Sequence, residues 1–289
     1  MAKTISEAFD IFHQRLTPNT TEANASVSHR ASLESCLKTN HKMTNFFKTG
    51  SNGNGTSISG HSDTDYFAVL PADQLTTDSY YSLTKVKESL DTRFPKTGVR
   101  ISTPAIVVPF GSERWEDIEV TPADYVKKEN GYDVYDIADG NRGWMKASPD
   151  AHNAYVRSVN TKLLNKVKPL IRFIKAWKYY RDVPINSFFL ELRTTKYASG
   201  ESSIVYSIDI KNLLKNMLDS KIASIQDPMG VSGLIAPCKT DAYKQDALTK
   251  LETAYNRAVK AYELEQAGKI QEAFAMWNTF FNGKFPAYS

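Results

Sequence analysis

The chain has 289 residues, of which 41% are hydrophobic and 24% are charged, and its formal net charge is +4. These fractions are ordinary for a globular protein of one large domain or two lobes, and so small a net charge gives no sign of a dedicated nucleic-acid-binding surface. No apolar run approaches the ~20 residues of a membrane span, and the N-terminus lacks a secretory pattern. Cys36 and Cys238 form neither a disulfide framework nor a zinc-site spacing, so we expect a reducing cytoplasm and no membrane contact.

The first predicted elements are two helices. One helical face of the first carries the apolar residues Ile5, Phe9, Phe12 and Leu16. Thr4 and Glu7 have the spacing of a capping box at its start, and Pro18 ends it. Residues 20–26 are polar, and a second helix is predicted to end near Lys42.

Residues 44–70 carry the most specific signal in the chain. Residues 44–48 and 66–70 have the length and composition of strands, and a loop rich in glycine, serine and asparagine joins them. Gly50 and Ser51 open this loop. Glycine lets backbone approach a ligand closely, and consecutive N–H groups in a turn form a concavity that binds anions. The opening of the loop therefore predicts a phosphate site.

Two aspartates, Asp63 and Asp65, close the same loop. Residues i and i+2 of a strand point to one face, with Cα atoms roughly 6.6 Å apart. Two carboxylates on a rigid strand suit Mg²⁺, which takes oxygen ligands from one or two carboxylates and from substrate phosphates. A lone Gly-Ser or a lone Asp-x-Asp is usually a solvated connection. Both together, in this order between two strands, predict phosphate and metal binding by one loop.

A third carboxylate is predicted on a later strand. A helix over residues 82–93 and strands near 99–102 and 106–110 come first. Asp117 and Glu119 then alternate with Ile118 and Val120, which is strand periodicity. An acid from a neighbouring strand would complete a site for two metal ions. Asp117 and Glu119 lie on the same face, so alternation does not choose between them.

The second half of the chain is predicted to be mainly helical. Residues 125–144 form a polar excursion with glycine turns, and a helix covers 151–165. A basic helix follows, with Pro169 in its first turn. We expect most of its cations to be solvated and one or two to neutralise a nucleotide triphosphate; they are Lys168, Arg172, Lys175 and Lys178. Further helices cover residues 186–194, 204–218, 241–267 and 269–281, and 225–237 is loop-like.

The fold class that follows is α+β, with a mixed-sheet lobe over residues 1–150 and a helical lobe over residues 151–289. We expect the active site in a cleft between the lobes, which is a common place for a ligand. Tyr66 and Tyr206 are both candidates for stacking on a base, and spacing does not rank them.

The motif Gly50-Ser51 followed by Asp63-x-Asp65 resembles that of the nucleotidyltransferases related to DNA polymerase β. Glu119, with Pro122 three residues later, is similar to the third-carboxylate strand in bacterial relatives of cyclic GMP–AMP synthase and oligoadenylate synthase. That strand usually reads Asp-x-x-Pro-Ala in the family. The resemblance implies that Glu119 is the third metal ligand, with Asp117 as the backup, and that this chain departs from the family by using glutamate.

Later segments resemble the same family; they are residues 144–149 with His152, residues 168–178 and 187–191, Asp227-Pro228, and residues 277–286. The whole set looks like a CD-NTase, the signal-making enzyme of bacterial anti-phage systems. The resemblance implies a polymerase-β-like lobe beside a helical lobe, and two Mg²⁺ ions, replaceable by Mn²⁺, held by the three acids. It also implies donor phosphates bound by Gly50, Ser51, Lys175 and Ser187, and NTP substrates converted to a cyclic di- or trinucleotide that a downstream effector reads.

Two other classes of function share these motifs. One is a nucleotidyltransferase acting on another acceptor, such as an RNA end, a protein hydroxyl or a small molecule. The modest charge and the lack of a separate basic domain disfavour a dedicated tRNA enzyme. The other is a non-catalytic nucleotide-binding module, which the intact acids Asp63, Asp65 and Glu119 disfavour. Base choice, linkage, ring size, oligomeric state and activating cue cannot be read from the sequence.

Overall fold

The computed structural model describes residues 2–289 and has the α+β architecture that the sequence predicts. Its helices are α1 (Ile5–Leu16), α2 (Thr20–Ser28), α3 (Arg30–His41), α4 (Gly50–Asn54), α5 (Ser79–Arg93), α6 (Pro149–Lys162), α7 (Val167–Tyr180), α8 (Ser187–Ser199), α9 (Tyr206–Asp219), α10 (Asp241–Gln266) and α11 (Ile270–Phe280). Its strands are β1 (Asn45–Lys48), β2 (Thr64–Val69), β3 (Arg100–Ser102), β4 (Ala105–Pro109), β5 (Asp117–Glu129), β6 (Tyr132–Ala138), β7 (Trp144–Ala147), β8 (Ile225–Gln226) and β9 (Leu234–Ile235).

The chain forms two compact units. One unit, here called the helical unit, contains the N-terminal residues through Thr17 together with Tyr155–Pro228 and Leu234–Ser289. The other, here called the sheet unit, contains Pro18–Ala154 and the short segment Met229–Gly233. The sequence-based division into lobes at residue 150 remains a prediction.

The sheet unit is built on one mixed sheet with the strand order β1-β2-β5-β4-β3, in which β6 also pairs with β5 and β7 pairs with β6. Strands β2 and β5 are parallel, and the other pairs are antiparallel. Strand β5 is long enough to pair with β2 and β4 through its first half and with β6 through its second half. The two strands with the predicted acids are therefore direct neighbours.

The two faces of this sheet bury different side chains, because successive residues of a strand point to opposite sides. On one face, Tyr66, Ala68 and Val120 join a large apolar core that also contains residues of α3 and α5. On the other face, Phe67 and Val69 pack in a smaller cluster with residues of β5 and β6. Odd-numbered residues of β2 thus belong to the second face.

The helical unit is held together by aromatic packing. The ring of Phe9 on α1 lies 5.0 Å from that of Phe173 on α7 and 5.1 Å from that of Trp277 on α11. Tyr206 packs against the same two phenylalanines, at 5.8 Å from Phe9 and 4.9 Å from Phe173. These tilted and edge-on ring contacts hold the half-buried Tyr206 within the aromatic cluster, so it is a poor candidate for base stacking.

Three secondary-structure predictions need correction. Residues 125–144 are not a polar excursion, because they contain the end of β5, all of β6 and the first residue of β7. Residues 20–28 form a helix of their own, α2, whose start is capped by Asn19 and Glu22. Residues 225–237 contain a short antiparallel pair, β8 and β9. Within residues 2–289, no helix is both long enough and apolar enough to cross a membrane.

Candidate active site

The turn after β1 is built around Asp65. The backbone N–H of Thr49 donates to the carbonyl oxygen of Asp65 at 2.9 Å, which joins the turn to β2. Gly50 follows with a φ of +55°, and a Cβ atom at this position would lie 1.9 Å from Oδ2 of Asp65. The carboxylate of Asp65 therefore lies directly against the glycine backbone. Glycine is required here both for its positive φ and for this close approach.

The parallel pairing of β2 and β5 brings two of the acids together. Asp65 and Glu119 are register partners, and neighbouring strands lie about 4.8 Å apart. Both belong to the second face of the sheet, opposite the large core that holds Tyr66 and Val120. Asp63 is the last residue before β2, two positions from Asp65, and is half-buried like Asp65. The backbone thus places Asp65 and Glu119 side by side on one face, with Asp63 immediately before the start of β2.

A contact that sequence reasoning missed connects Asp63 to the turn. The side-chain Nδ2 of Asn52 on α4 lies 2.6 Å from the carbonyl oxygen of Asp63 and 3.4 Å from Oγ1 of Thr64. An asparagine in a loop rich in glycine, serine and asparagine has no distinguishing pattern, so no sequence signal could have found it. Thr49 and Asn52 together tie the turn to the backbone of both aspartates.

Asp117, the backup ligand, has another partner. Nη2 of Arg100 on β3 lies 3.3 Å from Oδ2 of Asp117, and the Asp117 side chain is 17% exposed. Asp117 is paired in register with Pro109 on β4. Glu119, by contrast, is the register partner of Asp65, which favours Glu119 over Asp117 as the third ligand.

The three acids suit a divalent cation by their chemistry. Carboxylate oxygens are hard ligands, and Mg²⁺ commonly takes one or two of them and completes its shell with water and substrate phosphates. The side chains do not form a ready-made cage: among the residues that the structure describes, no group of three or more His, Cys, Asp or Glu side chains is arranged to hold a metal ion. By their chemistry, the oxygen donors of these acids fit a divalent cation that also binds water and phosphate.

The exposure of the cations on the basic helix α7 differs from the sequence-based prediction, because two of them are buried. Lys175 is 1% exposed, and its Nζ lies 3.4 Å from Oε2 of Glu191 on α8. Arg172 is 9% exposed, and its Nη1 lies 2.7 Å from Nε2 of His13 on α1. The expectation that most cations of this helix are solvated does not hold for Arg172, and Lys175, which the resemblance implies as a phosphate contact, is buried against Glu191. Their partners lie on other helices, which periodicity along α7 does not reveal.

Ser187, predicted to bind phosphate, lies beside a different lysine from the one expected. Nζ of Lys178 lies 2.5 Å from Oγ of Ser187, and the hydroxyl of Tyr179 lies 3.4 Å from the same oxygen. Lys178 also lies over the ring of Tyr179, with 4.8 Å between its Nζ and the ring centroid. Lys175, Lys178 and Ser187 belong to the helical unit, whereas the acids belong to the sheet unit.

Burial shifts the pKa values of two side chains near the acidic motif, Lys48 and Tyr66. Burial, with the positive charge of Arg30, lowers the pKa of Lys48, the residue before the turn. Tyr66, the residue after Asp65, is fully buried, and its ring stacks on Phe46 at 4.5 Å. Burial raises the pKa of its hydroxyl. Tyr66 is therefore a core residue and cannot stack on a base while it is packed in this way.

Comparison with known proteins identifies the family. The family model for the Second Messenger Oligonucleotide or Dinucleotide Synthetase (SMODS) domain matches residues 3–160, which is more than half of the chain. No curated protein sequence matches the chain significantly.

Several solved structures share the fold. CdnC of E. coli MS115-1, in a complex with HORMA-deltaN, has a TM-score of 0.74 and 15% identity over 98% of both chains. CdnG of Bradyrhizobium diazoefficiens, in complex with GTP, has a TM-score of 0.74 and 12% identity over 96% of this chain and 94% of its own. DncV cyclic AMP-GMP synthase of Vibrio cholerae has a TM-score of 0.64 and 17% identity over 84% of this chain and 69% of its own.

These structural likenesses establish the fold, and the match of the family model establishes the relationship. The acidic strands and the glycine turn all lie within the matched residues 3–160. The chain belongs to the Second Messenger Oligonucleotide or Dinucleotide Synthetase family, the CD-NTases, and is a nucleotidyltransferase.

Proposed function

We propose that this nucleotidyltransferase joins NTPs into a cyclic di- or trinucleotide, with Asp63, Asp65 and Glu119 as the catalytic acids. The observation that carries the proposal is the position of Asp65, which is the register partner of Glu119 and lies against the Gly50 backbone. One carboxylate thus belongs both to the acidic pair and to the turn proposed to bind phosphate. A metal ligand and a phosphate site in direct contact are what phosphoryl transfer requires.

The three acids would hold two Mg²⁺ ions, for which Mn²⁺ may be substituted in assays. When bound, such ions neutralise the charge that develops on the phosphate and on the attacking and leaving oxygens. Hard carboxylate donors on one sheet face support this assignment. Glu119 is the proposed third ligand, because it is the register partner of Asp65, whereas Asp117 is paired in register with Pro109.

The remaining proposed residues bind the donor triphosphate. The backbone N–H of Gly50 and the N–H and hydroxyl of Ser51 donate to its β- and γ-phosphates. Ser187 is the proposed contact from the helical unit; the resemblance also implies Lys175, although its side chain is 1% exposed and paired with Glu191. Lys178 is added to them, since its ammonium group is hydrogen-bonded to Ser187. Fixed donors and cations contribute to the rate by positioning the phosphates and by stabilising charge.

In the reaction, a ribose hydroxyl of the acceptor nucleotide attacks the α-phosphorus of the donor. The bond between the α-phosphorus and the bridging oxygen breaks, and pyrophosphate leaves. The hydroxyl proton passes to a carboxylate of the site or to solvent. A second transfer within the same site closes the ring. The linear intermediate named for V. cholerae DncV, 5′ pppA(3′,5′)pG, supports a stepwise order of this kind.

We place this activity in the cytoplasm and in anti-phage signalling, where the cyclic product would act on a downstream effector. The family description, which names second-messenger synthesis, supports a signalling role. The two cysteines are free thiols, which supports a reducing compartment.

The test is to incubate the purified protein with ATP, GTP, CTP and UTP and with Mg²⁺ or Mn²⁺. Wild type should release pyrophosphate and form a phosphatase-resistant product whose mass and linkage identify the ring. The double variant Asp63→Asn plus Asp65→Asn should form none, whereas Asp73→Asn, an exposed acid paired with Lys42, should behave as wild type.

Transfer to an added RNA, protein or small molecule without a cyclic product would replace the proposed acceptor. Full activity of the double variant would overturn the assignment of the acids. Nucleotide binding with no turnover under any of these conditions would favour the non-catalytic module.

A further inference from the structure

Asn52 connects the turn to the start of the strand that carries the acids. Its Nδ2 is 2.6 Å from the carbonyl oxygen of Asp63, and it also contacts Thr64, which is buried between the two aspartates. We propose that Asn52 is a positioning residue that fixes the backbone of Asp63 and thereby the separation of the Asp63 and Asp65 carboxylates. This inference rests on the proposed function, in which both carboxylates hold divalent cations.

The two aspartates are fixed by the fold in different ways. Asp65 lies within β2, is paired in register with Glu119, and accepts a hydrogen bond from the N–H of Thr49. Asp63 lies one residue before β2 and outside the ladder with β5, which begins at Thr64. The hydrogen bond from Asn52 restrains the backbone at Asp63, as the hydrogen bond from Thr49 restrains the backbone at Asp65.

Packing does not fix the Asn52 side chain on all sides. Asn52 borders a cavity of about 150 Å³, and Lys48, Ser62 and Thr64 also line it. Where packing leaves open space beside a side chain, hydrogen bonds fix its position more than van der Waals contacts do. The amide donor is therefore the property of Asn52 that matters, and an apolar side chain of the same size should not replace it.

The experiment compares Asn52→Leu, which keeps the size of the side chain and removes the donor, with wild type. The readout is Mn²⁺ affinity, measured by electron paramagnetic resonance with the protein alone and with a non-hydrolysable NTP analogue. Loss of one hydrogen bond that positions a ligand should weaken Mn²⁺ binding about fivefold. The KM for the metal in pyrophosphate release should rise, and affinity for the analogue without metal should stay unchanged.

Asn40→Leu is the matched control. Nδ2 of Asn40 donates to the carbonyl oxygen of Cys36 at 2.9 Å. Like the Asn52 contact, this is a hydrogen bond from an asparagine amide to a backbone oxygen in the sheet unit, but it lies within α3 and away from the acids. Asn40 is exposed, and its replacement should leave Mn²⁺ affinity at the wild-type value.

The proposal is overturned if Asn52→Leu binds Mn²⁺ as tightly as wild type, or if Asn40→Leu weakens binding equally. Asn52→Ala, which removes the amide without adding apolar volume, replaces Asn52→Leu if the latter does not fold. Wild type that binds Mn²⁺ through Asp63 but turns over no NTP would contradict the proposed function and leave this inference standing.

Discussion

Asp65 on β2 and Glu119 on β5 are register partners in the parallel part of the sheet. Neighbouring strands place paired residues about 4.8 Å apart, so the two carboxylates start from adjacent backbone positions on the same face. An acid two residues earlier, Asp117, shares that face but forms an ion pair with Arg100. The proposed roles of the two acids on β5 can therefore be separated by mutation.

We predict that Glu119→Gln lowers pyrophosphate release by at least about 10²-fold, because it removes charge stabilisation at the reacting phosphate. Asp117→Asn should have little effect on this rate. Since Arg100 is more than half exposed, loss of the ion pair should cost at most about 1 kcal/mol of unfolding free energy. Urea denaturation measures that free energy. Equal loss of activity in the two variants would contradict the choice of Glu119.

We predict that Gly50→Ala abolishes nucleotidyl transfer, because the added Cβ would lie 1.9 Å from Oδ2 of Asp65 and would displace that carboxylate. Gly60→Ala is the matched control, since Gly60 also has a positive φ, +76°, but a Cβ there meets nothing within 4 Å. Each variant should lose about 1–2 kcal/mol of stability from backbone strain, but only Gly50→Ala should lose activity. Activity and thermal melting are measured on both, and an active Gly50→Ala would refute this close approach.

The helix α7 gives a prediction about stability. Lys175 is fully buried and pairs with Glu191, so Lys175→Met removes the buried cation that lies 3.4 Å from this carboxylate. Breaking such a pair from one side should cost about 3–5 kcal/mol of unfolding free energy. The double variant Lys175→Met plus Glu191→Leu should recover much of this loss. A double-mutant cycle in urea denaturation measures the coupling, and additive losses would show that the pair is not coupled.

The neighbouring lysine gives a prediction about substrate binding. Lys178 lies 2.5 Å from Ser187, and we expect its ammonium group to contact donor phosphate. Lys178→Met should raise the KM for the donor NTP about tenfold, as expected for a lost charged hydrogen bond, with a smaller change in kcat. Lys162→Met, an exposed lysine on α6, is the control and should match wild type. An unchanged KM for Lys178→Met would remove Lys178 from the phosphate site.

Two histidines predict a loss of stability in mild acid. Burial lowers the pKa of His13 below its ordinary value of 6.5, with a further lowering from the Arg172 charge and an opposing one from Asp10. Burial, with Lys85, lowers the pKa of His41 in the same direction. In the unfolded chain both histidines titrate near 6.5, so between the folded and unfolded pKa values the unfolded state binds more protons.

The free energy of unfolding should therefore rise with pH through this window and fall as the pH drops below 6.5. Urea denaturation at a series of pH values from neutral to mildly acidic measures the slope. The double variant His13→Gln plus His41→Gln should flatten it, while the slope caused by carboxylates at lower pH should persist. A wild-type curve with no slope in this window would contradict the prediction.

Sequence alone identified the family and the α+β class and led to the prediction of the acids, because all three depend on short motifs with fixed spacing. Asp63, Asp65 and their strand are local in the chain, and strand periodicity places Glu119 on the proper face. The match of the family model to residues 3–160 confirms the resemblance on which those assignments were based. The roles of the individual site residues remain predictions that the experiments above test.

The parts that sequence could not predict depend on contacts between distant residues. The strands between residues 125 and 144 were missed because the end of β5 is solvent-exposed and shows no apolar alternation. The burial of Lys175 was not predicted, because its partner Glu191 lies on another helix. The contact of Asn52 with Asp63 depends on how the turn folds back onto β2, and no periodic pattern encodes that.

The parallel pairing of β2 with β5 has a consequence for fragments of this protein. Parallel neighbours cannot be joined by a hairpin, and here α5, β3 and β4 intervene along the chain. A polypeptide that stops before β5 would contain the glycine turn and both aspartates but would leave β2 as an unpaired edge on that side. Such a fragment should lack Glu119 and expose an aggregation-prone strand edge. It should show no residual nucleotidyl transfer, so activity should appear only in chains in which β2 is paired with β5.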